Sequence, residues 1–333
     1  MKIAFFETEK WEQKYLLENL KGHKLEFSTK VITAAQAKKE KDAQALAVFI
    51  YSQVNSAVLD AMPKLKLIAT MSTGYNHIDV KECARRGITV CNVPTYGENT
   101  VAEHTFALLL ALSRKIHLSY ERTLKADFSA HGLRGFDLKG KTIGVVGCGH
   151  IGMHVVRMAK GFEMDILVYE RHPDETLAAN MGFRNVSVDE LYAKSDIITF
   201  HVPLSESTKH MFNAGSLKKV KKGVVIINTA RGEIIDTKAL IKGLSDKTIA
   251  GAGLDVLEGE CYIREEKQVL DPHFPKECDL RTVLQNHVLL KMPNVLITPH
   301  NAFNSQEALE RILHTTIENV NAFAKGNKVN TVQ

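Results

Sequence analysis

Residues 141–170, KTIGVVGCGHIGMHVVRMAKGFEMDILVYE, decide the fold of this chain. An apolar, β-branched run enters a glycine-rich turn, a helical pattern follows from about Ile151 to Gly161, and a second apolar run ends in Glu170. A strand, a helix and a second strand in this order form one βαβ unit. We therefore interpret the rest of the chain outward from this unit.

The glycines of the turn match the pattern G-x-G-x-x-G at Gly147, Gly149 and Gly152. These spacings provide a tight turn, close approach of the backbone to a pyrophosphate, and close packing of the helix on the strand. The helix start points unpaired N–H groups and its positive dipole end at phosphate. Glu170 lies where an acid accepts hydrogen bonds from the adenosine ribose, and its charge repels a 2′-phosphate. The pattern predicts NAD in preference to NADP; Arg171 either softens this preference or is a solvated loop residue.

Composition sets the class of protein. The chain has 333 residues, enough for two domains, and its 44% hydrophobic and 24% charged content is that of a soluble protein. No apolar run reaches the roughly 18 residues that span a bilayer, and no signal-peptide core is present, so we expect a cytoplasmic protein.

The five cysteines lack C-x-x-C spacing and predict free thiols. The net charge of +5 comes from scattered lysines without interleaved aromatic residues, which favours solvated helix faces over a nucleic-acid groove.

The flanking regions extend the α/β alternation. Short buried strands are predicted at residues 3–6, 47–51, 67–70 and 89–91 of a first domain, and at 197–200, 224–228, 249–254 and 295–298 of a second. Val101 to Ile116 is apolar on every helical face, so we expect burial both between domains and in a homodimer. A last helix from Ser305 to Ala324, capped by Asn304 or Ser305, returns to the first domain.

The predicted architecture is α/β, with two doubly wound parallel-sheet domains. A Rossmann NAD-binding domain, residues 100–301, is inserted in a smaller flavodoxin-like substrate domain, residues 1–99 and 302–333.

Three predicted strand ends carry polar side chains where ligands bind in open parallel sheets. NTARGEIID places Arg231 there, GLDVLEGE places Asp255 and Glu260, and TPHNAF places His300. Reduction of a 2-keto acid by NADH needs a cation for the carboxylate, the part of Arg231, and an acid for the alkoxide, the part of His300. Glu260 would orient the imidazole and raise its pKa. Taken singly, such residues are more often a surface arginine, a turn histidine and helix caps. No spacing of histidines, acids and cysteines indicates a metal.

The chain resembles the D-isomer-specific 2-hydroxyacid dehydrogenases along nearly its whole length, and within them the fermentative D-lactate dehydrogenases. The resemblance rests on five motifs in order: VGCGHIG with Glu170, HVPLSESTKHMFN, NTARGEIID, GLDVLEGE and TPHNAF. It implies that His300 is the acid/base, Glu260 its partner and Arg231 the carboxylate-binding residue. It also implies a cofactor site made by the glycines, Glu170 and Arg171, together with His150, Ile151, His201, Val202, Pro203, Thr208, Thr229, Ala230 and Asp255.

The substrate side of the resemblance falls on both predicted domains. Thr73 and Gly74 match the backbone donors for the substrate carboxylate, and Tyr51, Tyr96 and Phe303 match aromatic positions that form a small apolar pocket. The resemblance implies reduction of pyruvate to D-lactate. Two alternatives stay open: another 2-keto acid, such as glyoxylate, hydroxypyruvate or 2-ketoisocaproate, or an NAD-sensing corepressor that binds peptides. Glu170 stands where the nearest subgroup usually has aspartate.

Overall fold

The computed structural model describes residues 1–259 and 280–332. The chain divides into two compact units, Met1–Tyr96 with Asn304–Gln333, and Gly97–Phe303. Each unit contains one sheet, and both sheets are predominantly parallel. Two parallel-sheet α/β units were the predicted fold class, and the prediction is confirmed.

The first unit contains a six-stranded sheet. Its elements are β1 (Lys2–Phe5), α1 (Lys10–Asn19), β2 (Lys24–Phe27), α2 (Ala34–Lys39), β3 (Ala45–Val48), α3 (Ser56–Asp60), β4 (Leu67–Thr70), α4 (Val80–Arg85), β5 (Thr89–Cys91), α13 (Gln306–Ala324) and β13 (Thr331–Val332). The strand order is β2-β1-β3-β4-β5-β13, with only β13 antiparallel to its neighbour. The order 2-1-3-4-5 is that of flavodoxin-like sheets.

The second unit contains a seven-stranded parallel sheet. Its elements are α5 (Glu98–Ser113), α6 (Ile116–Thr123), β6 (Thr142–Val146), α7 (His150–Gly161), β7 (Asp165–Tyr169), α8 (Glu175–Met181), β8 (Arg184–Asn185), α9 (Val188–Lys194), β9 (Ile197–Phe200), α10 (Ala214–Leu217), β10 (Val224–Asn228), α11 (Thr237–Ser245), β11 (Ile249–Leu254), α12 (Leu280–Leu290) and β12 (Val295–Ile297). The order β8-β7-β6-β9-β10-β11-β12 is the Rossmann order, extended by one strand.

Alternating side chains of the central strands build a core on each face of a sheet. In β1, Ile3 and Phe5 join the core under α1 and α13, whereas Ala4 joins the core on the opposite face. In β9, Ile197 likewise joins one core and Ile198 joins another. Because helices cover both faces, these strands read as continuous apolar runs, which is why the sequence revealed them.

Several predicted boundaries were wrong, each for a local reason. The predicted strand 47–51 ends at Val48, because the N–H groups of Phe49 and Tyr51 donate to the Glu7 carboxylate instead of a neighbouring strand. The predicted helix 101–116 begins at Glu98 and ends at Ser113; Lys115 adopts a left-handed conformation, φ 52°, and Ile116 begins a new helix. Ser305, one of the two proposed caps of α13, accepts the N–H of Ala308.

The cysteines and the helices add two observations. Cys83, Cys91 and Cys148 are unpaired, whereas Cys261 and Cys278 lie outside the described residues. No helix in the described ranges is both long and apolar enough to cross a bilayer.

Candidate active site

The glycine-rich turn joins β6 to α7. Gly147 has φ 93°, and a Cβ there would lie 2.7 Å from Cγ1 of Val202, so both conformation and space require glycine. A Cβ on Gly152 would lie 2.1 Å from the Gly147 carbonyl oxygen, whereas a Cβ on Gly149 would meet no atom within 4 Å. The helix begins at His150, with Ile151 in its first turn. The turn thus leaves open space before a helix N-terminus, and the residues present fit a pyrophosphate.

Glu170 is held beside this turn by two backbone groups. The Cys148 N–H donates to its Oε2 over 2.8 Å, and the Arg171 N–H donates to its Oε1 over 2.9 Å. Each carboxylate oxygen retains a lone pair, so the group can still accept a ribose hydroxyl. Arg171 itself is exposed.

The segment after β9 lies against the same turn. The His201 N–H donates to Val146, and its Nε2 lies 2.9 Å from the Thr199 hydroxyl. Burial lowers the pKa of His201 to about 3, so the ring is neutral, and its buried Nδ1 has no partner within the described residues. Pro203 is exposed, and its carbonyl accepts the Thr208 hydroxyl over 2.6 Å. A neutral ring with an unpartnered nitrogen fits a polar ligand at this turn.

Arg231 follows β10 on a turn that Asn228 fixes from both sides. The Asn228 amide donates to the Arg231 carbonyl over 2.9 Å and accepts the Ala230 N–H over 3.0 Å. A Cβ on Gly232 would lie 2.0 Å from the Leu257 carbonyl carbon, which requires glycine after the arginine. The Arg231 side chain is exposed, and within residues 1–259 and 280–332 its guanidinium donates to the Ala230 carbonyl. The backbone turn that carries Arg231 is therefore fixed, and its exposed guanidinium is accessible to an anion.

Thr229 occupies the same turn but its side chain is buried. The Thr105 hydroxyl donates to the Val101 carbonyl, so the Thr229 hydroxyl, 2.9 Å away, is the donor between the two threonines. Thr229 thus anchors the turn to α5. Because the Thr229 hydroxyl is bonded to Thr105, a cofactor would contact Thr229 through its backbone.

His300 lies on the 298–302 turn after β12, with a left-handed backbone, φ 52°. Asp255, 1% exposed, holds this turn: its Oδ1 accepts the Thr298 hydroxyl and the Asn301 N–H, and its Oδ2 accepts the Ala302 N–H over 2.8 Å. Its charge also lies 3.4 Å from Nε2 of His104. The resemblance placed Asp255 in the cofactor site, near the nicotinamide amide; among the described residues both of its oxygens bind groups of the 298–302 turn.

The predicted residues of the first unit lie after its strands. Tyr51 follows β3 and is 44% exposed, and Tyr96 follows β5 and is half-buried. Thr73 and Gly74 belong to the 72–76 turn after β4. Phe303 is half-buried at the end of the second unit. Glu260, the predicted partner of His300, lies outside the described residues.

Comparisons with known proteins identify a family for this chain. Residues 106–302 match the family described as D-isomer specific 2-hydroxyacid dehydrogenase, NAD binding domain. The D-lactate dehydrogenase of Escherichia coli is 35% identical over 98% of this chain and 97% of its own length. An apo structure of D-lactate dehydrogenase from the same organism superimposes over the whole of both chains with a TM-score of 0.87, at 33% identity. The chain belongs to the D-isomer-specific 2-hydroxyacid dehydrogenases.

Two further relatives bear on cofactor and substrate. A D-lactate dehydrogenase from Aquifex aeolicus, solved with NAD and lactic acid, is 35% identical over 98% of this chain and 96% of its own, with a TM-score of 0.83. A glyoxylate reductase from Korarchaeum cryptofilum is 38% identical over 86% of this chain and 81% of its own length. This 2-hydroxyacid dehydrogenase therefore uses NAD, and its relatives include enzymes named for different substrates.

Sequence reasoning missed the groups behind the site of this dehydrogenase. His210, in a left-handed conformation, lies 2.7 Å from the Glu258 carboxylate, which also accepts the Thr237 hydroxyl over 2.8 Å. The Glu258 carbonyl accepts the Asn286 amide. These bonds tie the loops after β9 and β11 to the start of α11. The D-V-L-E run offered a signal for Glu258, but nothing in the sequence identified His210 as its partner.

Proposed function

We propose that this dehydrogenase reduces pyruvate to D-lactate, reversibly, with NADH. The observation that carries the proposal is the shared edge of β10, β11 and β12, neighbouring parallel strands whose carboxyl ends are followed by Arg231, Asp255 and His300. A guanidinium and an imidazole thus follow strands at the edge of the sheet that also carries the glycine turn after β6. Reduction of a 2-keto acid requires this pair together with a bound nicotinamide.

Each of these residues has a proposed role in the reaction. NADH, when bound, supplies the hydride that attacks the keto carbon. Arg231 binds the carboxylate with its planar guanidinium, and the N–H groups of Thr73 and Gly74 are proposed as further donors to it. His300 donates a proton to the carbonyl oxygen as the hydride arrives, and Glu260 is proposed to orient the imidazole. In the reverse direction the neutral His300 removes the hydroxyl proton.

The preference for pyruvate rests on two supports. Tyr51, Tyr96 and Phe303 are proposed, from the resemblance, to form the small apolar pocket that takes the methyl group. The D-lactate dehydrogenase relatives also match nearly all of the chain, whereas the glyoxylate reductase relative matches less of it. Glyoxylate is the second candidate, favoured by that relative's 38% identity. One methylene or methyl in a pocket changes specificity by roughly 1–3 kcal/mol, so the two substrates are separable by rate.

The experiment is the rate of NADH oxidation with pyruvate, glyoxylate, hydroxypyruvate and 2-ketoisocaproate, each titrated to obtain kcat/KM. We expect pyruvate to give the highest value, with chiral analysis identifying D-lactate. A higher value for glyoxylate would transfer the proposal to the second candidate and leave the NAD site and acid/base pair intact. No turnover with any of the four would contradict the proposed reaction. Replacing NADH by NADPH in the same assay tests the role of Glu170, and we expect slower turnover with NADPH.

We also propose that the enzyme is a homodimer. Ile116, Tyr120, Leu124 and Phe128 follow one another at four-residue spacing on and just beyond α6, and all are more than half exposed, with Phe128 83% exposed. Ile116, Tyr120 and Leu124 share one helical face, and exposed apolar side chains grouped in this way are typical of a protein interface. Light scattering after size exclusion should give twice the 37.1 kDa chain mass. Tyr120→Glu should shift the mass toward one chain, whereas Tyr75→Glu on the first unit should not.

A further inference from the structure

The 72–76 turn carries the proposed donors to the substrate carboxylate, so its role as a binding turn rests on the proposed function. Three consecutive carbonyl groups of this turn are bound by the protein. The Val93 N–H donates to the Ser72 carbonyl over 3.0 Å, the Asn92 amide to that of Thr73 over 2.8 Å, and the Ser72 hydroxyl to that of Gly74 over 2.7 Å.

These bonds determine where the N–H groups of the turn point. In a trans peptide the C=O and the following N–H point in opposite directions, and the chain contains no cis peptide. With the three carbonyls turned inward, the N–H groups of Thr73, Gly74 and Tyr75 point away from the protein. None of the three donates to an acceptor within residues 1–259 and 280–332. Successive unpaired N–H groups of this kind bind anions.

Behind the turn, the buried hydroxyls form an ordered chain of hydrogen bonds. The Ser72 hydroxyl has one proton, and the Gly74 carbonyl can only accept, so Ser72 donates to Gly74. Ser72 must then accept from the Thr70 hydroxyl, 2.7 Å away. Thr70 must in turn accept from Nε2 of His77, 3.1 Å away. The terminal carbonyl therefore fixes every donor back to the imidazole.

His77 is suited to the head of this chain. It is 9% exposed, and its carbonyl accepts the Val54 N–H over 2.8 Å, which anchors its backbone to the neighbouring loop. Burial lowers the pKa of His77 to about 4, so the ring is neutral at physiological pH and exists as one of two tautomers. Only the Nε2–H tautomer can donate to Thr70.

We propose that His77, Thr70 and Ser72 are positioning residues that hold the Gly74 carbonyl inward and thereby present the turn's N–H groups to the substrate carboxylate. His77 donates through Nε2–H, Thr70 through its hydroxyl, and Ser72 through its hydroxyl to Gly74. The hydrogen bonds within such a chain polarise one another, so the bond to the Gly74 carbonyl is stronger than an isolated hydrogen bond. The residues touch no reacting atom and act only through the backbone.

The test compares Thr70→Val, which keeps the shape of the side chain and removes its hydroxyl, with Thr70→Ser, which keeps the hydroxyl. One lost hydrogen bond is worth about 1 kcal/mol, so Thr70→Val should raise the KM for pyruvate roughly fivefold to tenfold while kcat changes less than about twofold. Thr70→Ser should restore KM. Equal KM values for the two variants would overturn the proposal, as would an equal fall in kcat with KM unchanged. Ser72→Ala should raise KM like Thr70→Val and serves if the valine variant does not fold.

A second measurement does not depend on the substrate. Long-range proton–nitrogen NMR of histidine-labelled wild-type enzyme reports the tautomer of each ring, and the His77 signal should be that of Nε2–H. A Nδ1–H tautomer would overturn the donor order even if the kinetics agreed. If no 2-keto acid is turned over, the proposed function fails; the tautomer, and faster hydrogen exchange of peptide 71–79 in Thr70→Val, still test the positioning chain.

Discussion

The 72–76 turn of the first unit and the 298–302 turn of the second are both held by polar groups, but opposite backbone groups are bound in the two turns. In the 72–76 turn the protein binds the carbonyl groups and leaves N–H groups outside. In the 298–302 turn Asp255 binds the N–H groups of Asn301 and Ala302, and the turn carries His300, the proposed acid/base. Each turn follows a parallel strand and is held by buried polar groups.

The two turns also differ in charge. The chain behind the 72–76 turn consists of hydroxyls and a neutral imidazole, so no ion is buried there. Behind the 298–302 turn a carboxylate is buried with His104 beside it. A backbone anion site needs donors that face outward, whereas a left-handed histidine needs a strong acceptor that binds the neighbouring amides. The backbone groups that a turn leaves unbound thus decide which chemistry it can support.

The largest expected effect comes from removing the side chain that the 298–302 turn presents. His300→Gln keeps a polar side chain but cannot serve as acid and base, so kcat should fall about 10²-fold to 10⁴-fold. The affinity for NADH, followed by fluorescence, should change little. His314→Gln, on the exposed face of α13, is the matched control and should retain the wild-type rate. A wild-type rate in His300→Gln would remove this turn from the chemistry.

Asp255→Asn should have the next largest effect, because it disturbs the turn rather than the acting group. An asparagine amide places donors where the carboxylate accepted, and an unsatisfied buried group costs about 1–3 kcal/mol. We expect kcat to fall up to about 100-fold and the urea midpoint of unfolding to decrease. The control is Asp165→Asn at the exposed start of β7. Unchanged stability together with an unchanged kcat would show that Asp255 does not hold the turn.

The sequence predicted the fold well where burial dominates. Strands such as β4, β9, β10 and β11 are continuous apolar runs, and the structure has them at the predicted bounds. The prediction from the sequence failed for strands that are weakly buried or very short. The edge strand β2 is only half-buried, and β8 and β13 are two residues each, so none carries an apolar run. The break between α5 and α6 occurs at Lys115 without glycine or proline, and only the backbone reveals it.

The roles assigned to single site residues, such as Arg231 and His300, remain predictions, yet the positions followed from motifs at strand ends. The groups behind them did not follow. His77, His104 and His210 bind partners that are 7, 194 and 48 residues away along the chain, and a motif reports only its own short segment. Which hydroxyl donates and which accepts depends on the last acceptor of a chain, and only three-dimensional placement identifies that acceptor.

The stability contributed by the neutral His77 behind the 72–76 turn should decrease in acid. The pKa of His77 is about 4 in the folded protein, against about 6.5 in an unfolded chain. Between these values the unfolded state binds the additional proton, so the free energy of unfolding decreases as the pH falls. From about pH 7 to about pH 5 the loss assigned to His77 is about 2 kcal/mol.

His77→Gln tests this loss, because glutamine can donate to Thr70 and does not titrate. Urea unfolding at both pH values should show a smaller acid-induced loss in the variant than in the wild type, by about that 2 kcal/mol. His201 stays in both proteins and contributes equally, since burial lowers its pKa as well. Equal losses in variant and wild type would mean that His77 is not the buried neutral group assumed here.

The smallest expected effect completes a matched pair with Thr70→Val. The Thr298 hydroxyl donates to Oδ1 of Asp255 and must therefore accept from Nε2 of His104, 3.0 Å away. Thr298→Val removes both bonds but leaves the two amide bonds of Asp255, so kcat should fall only about threefold to fivefold, and Thr298→Ser should restore it. The same exchange of threonine for valine should thus raise KM in the first unit and lower kcat in the second. If both variants changed the same kinetic constant, the two turns would not divide binding from proton transfer, and the distinction between unbound N–H groups and a presented side chain would lose its functional meaning.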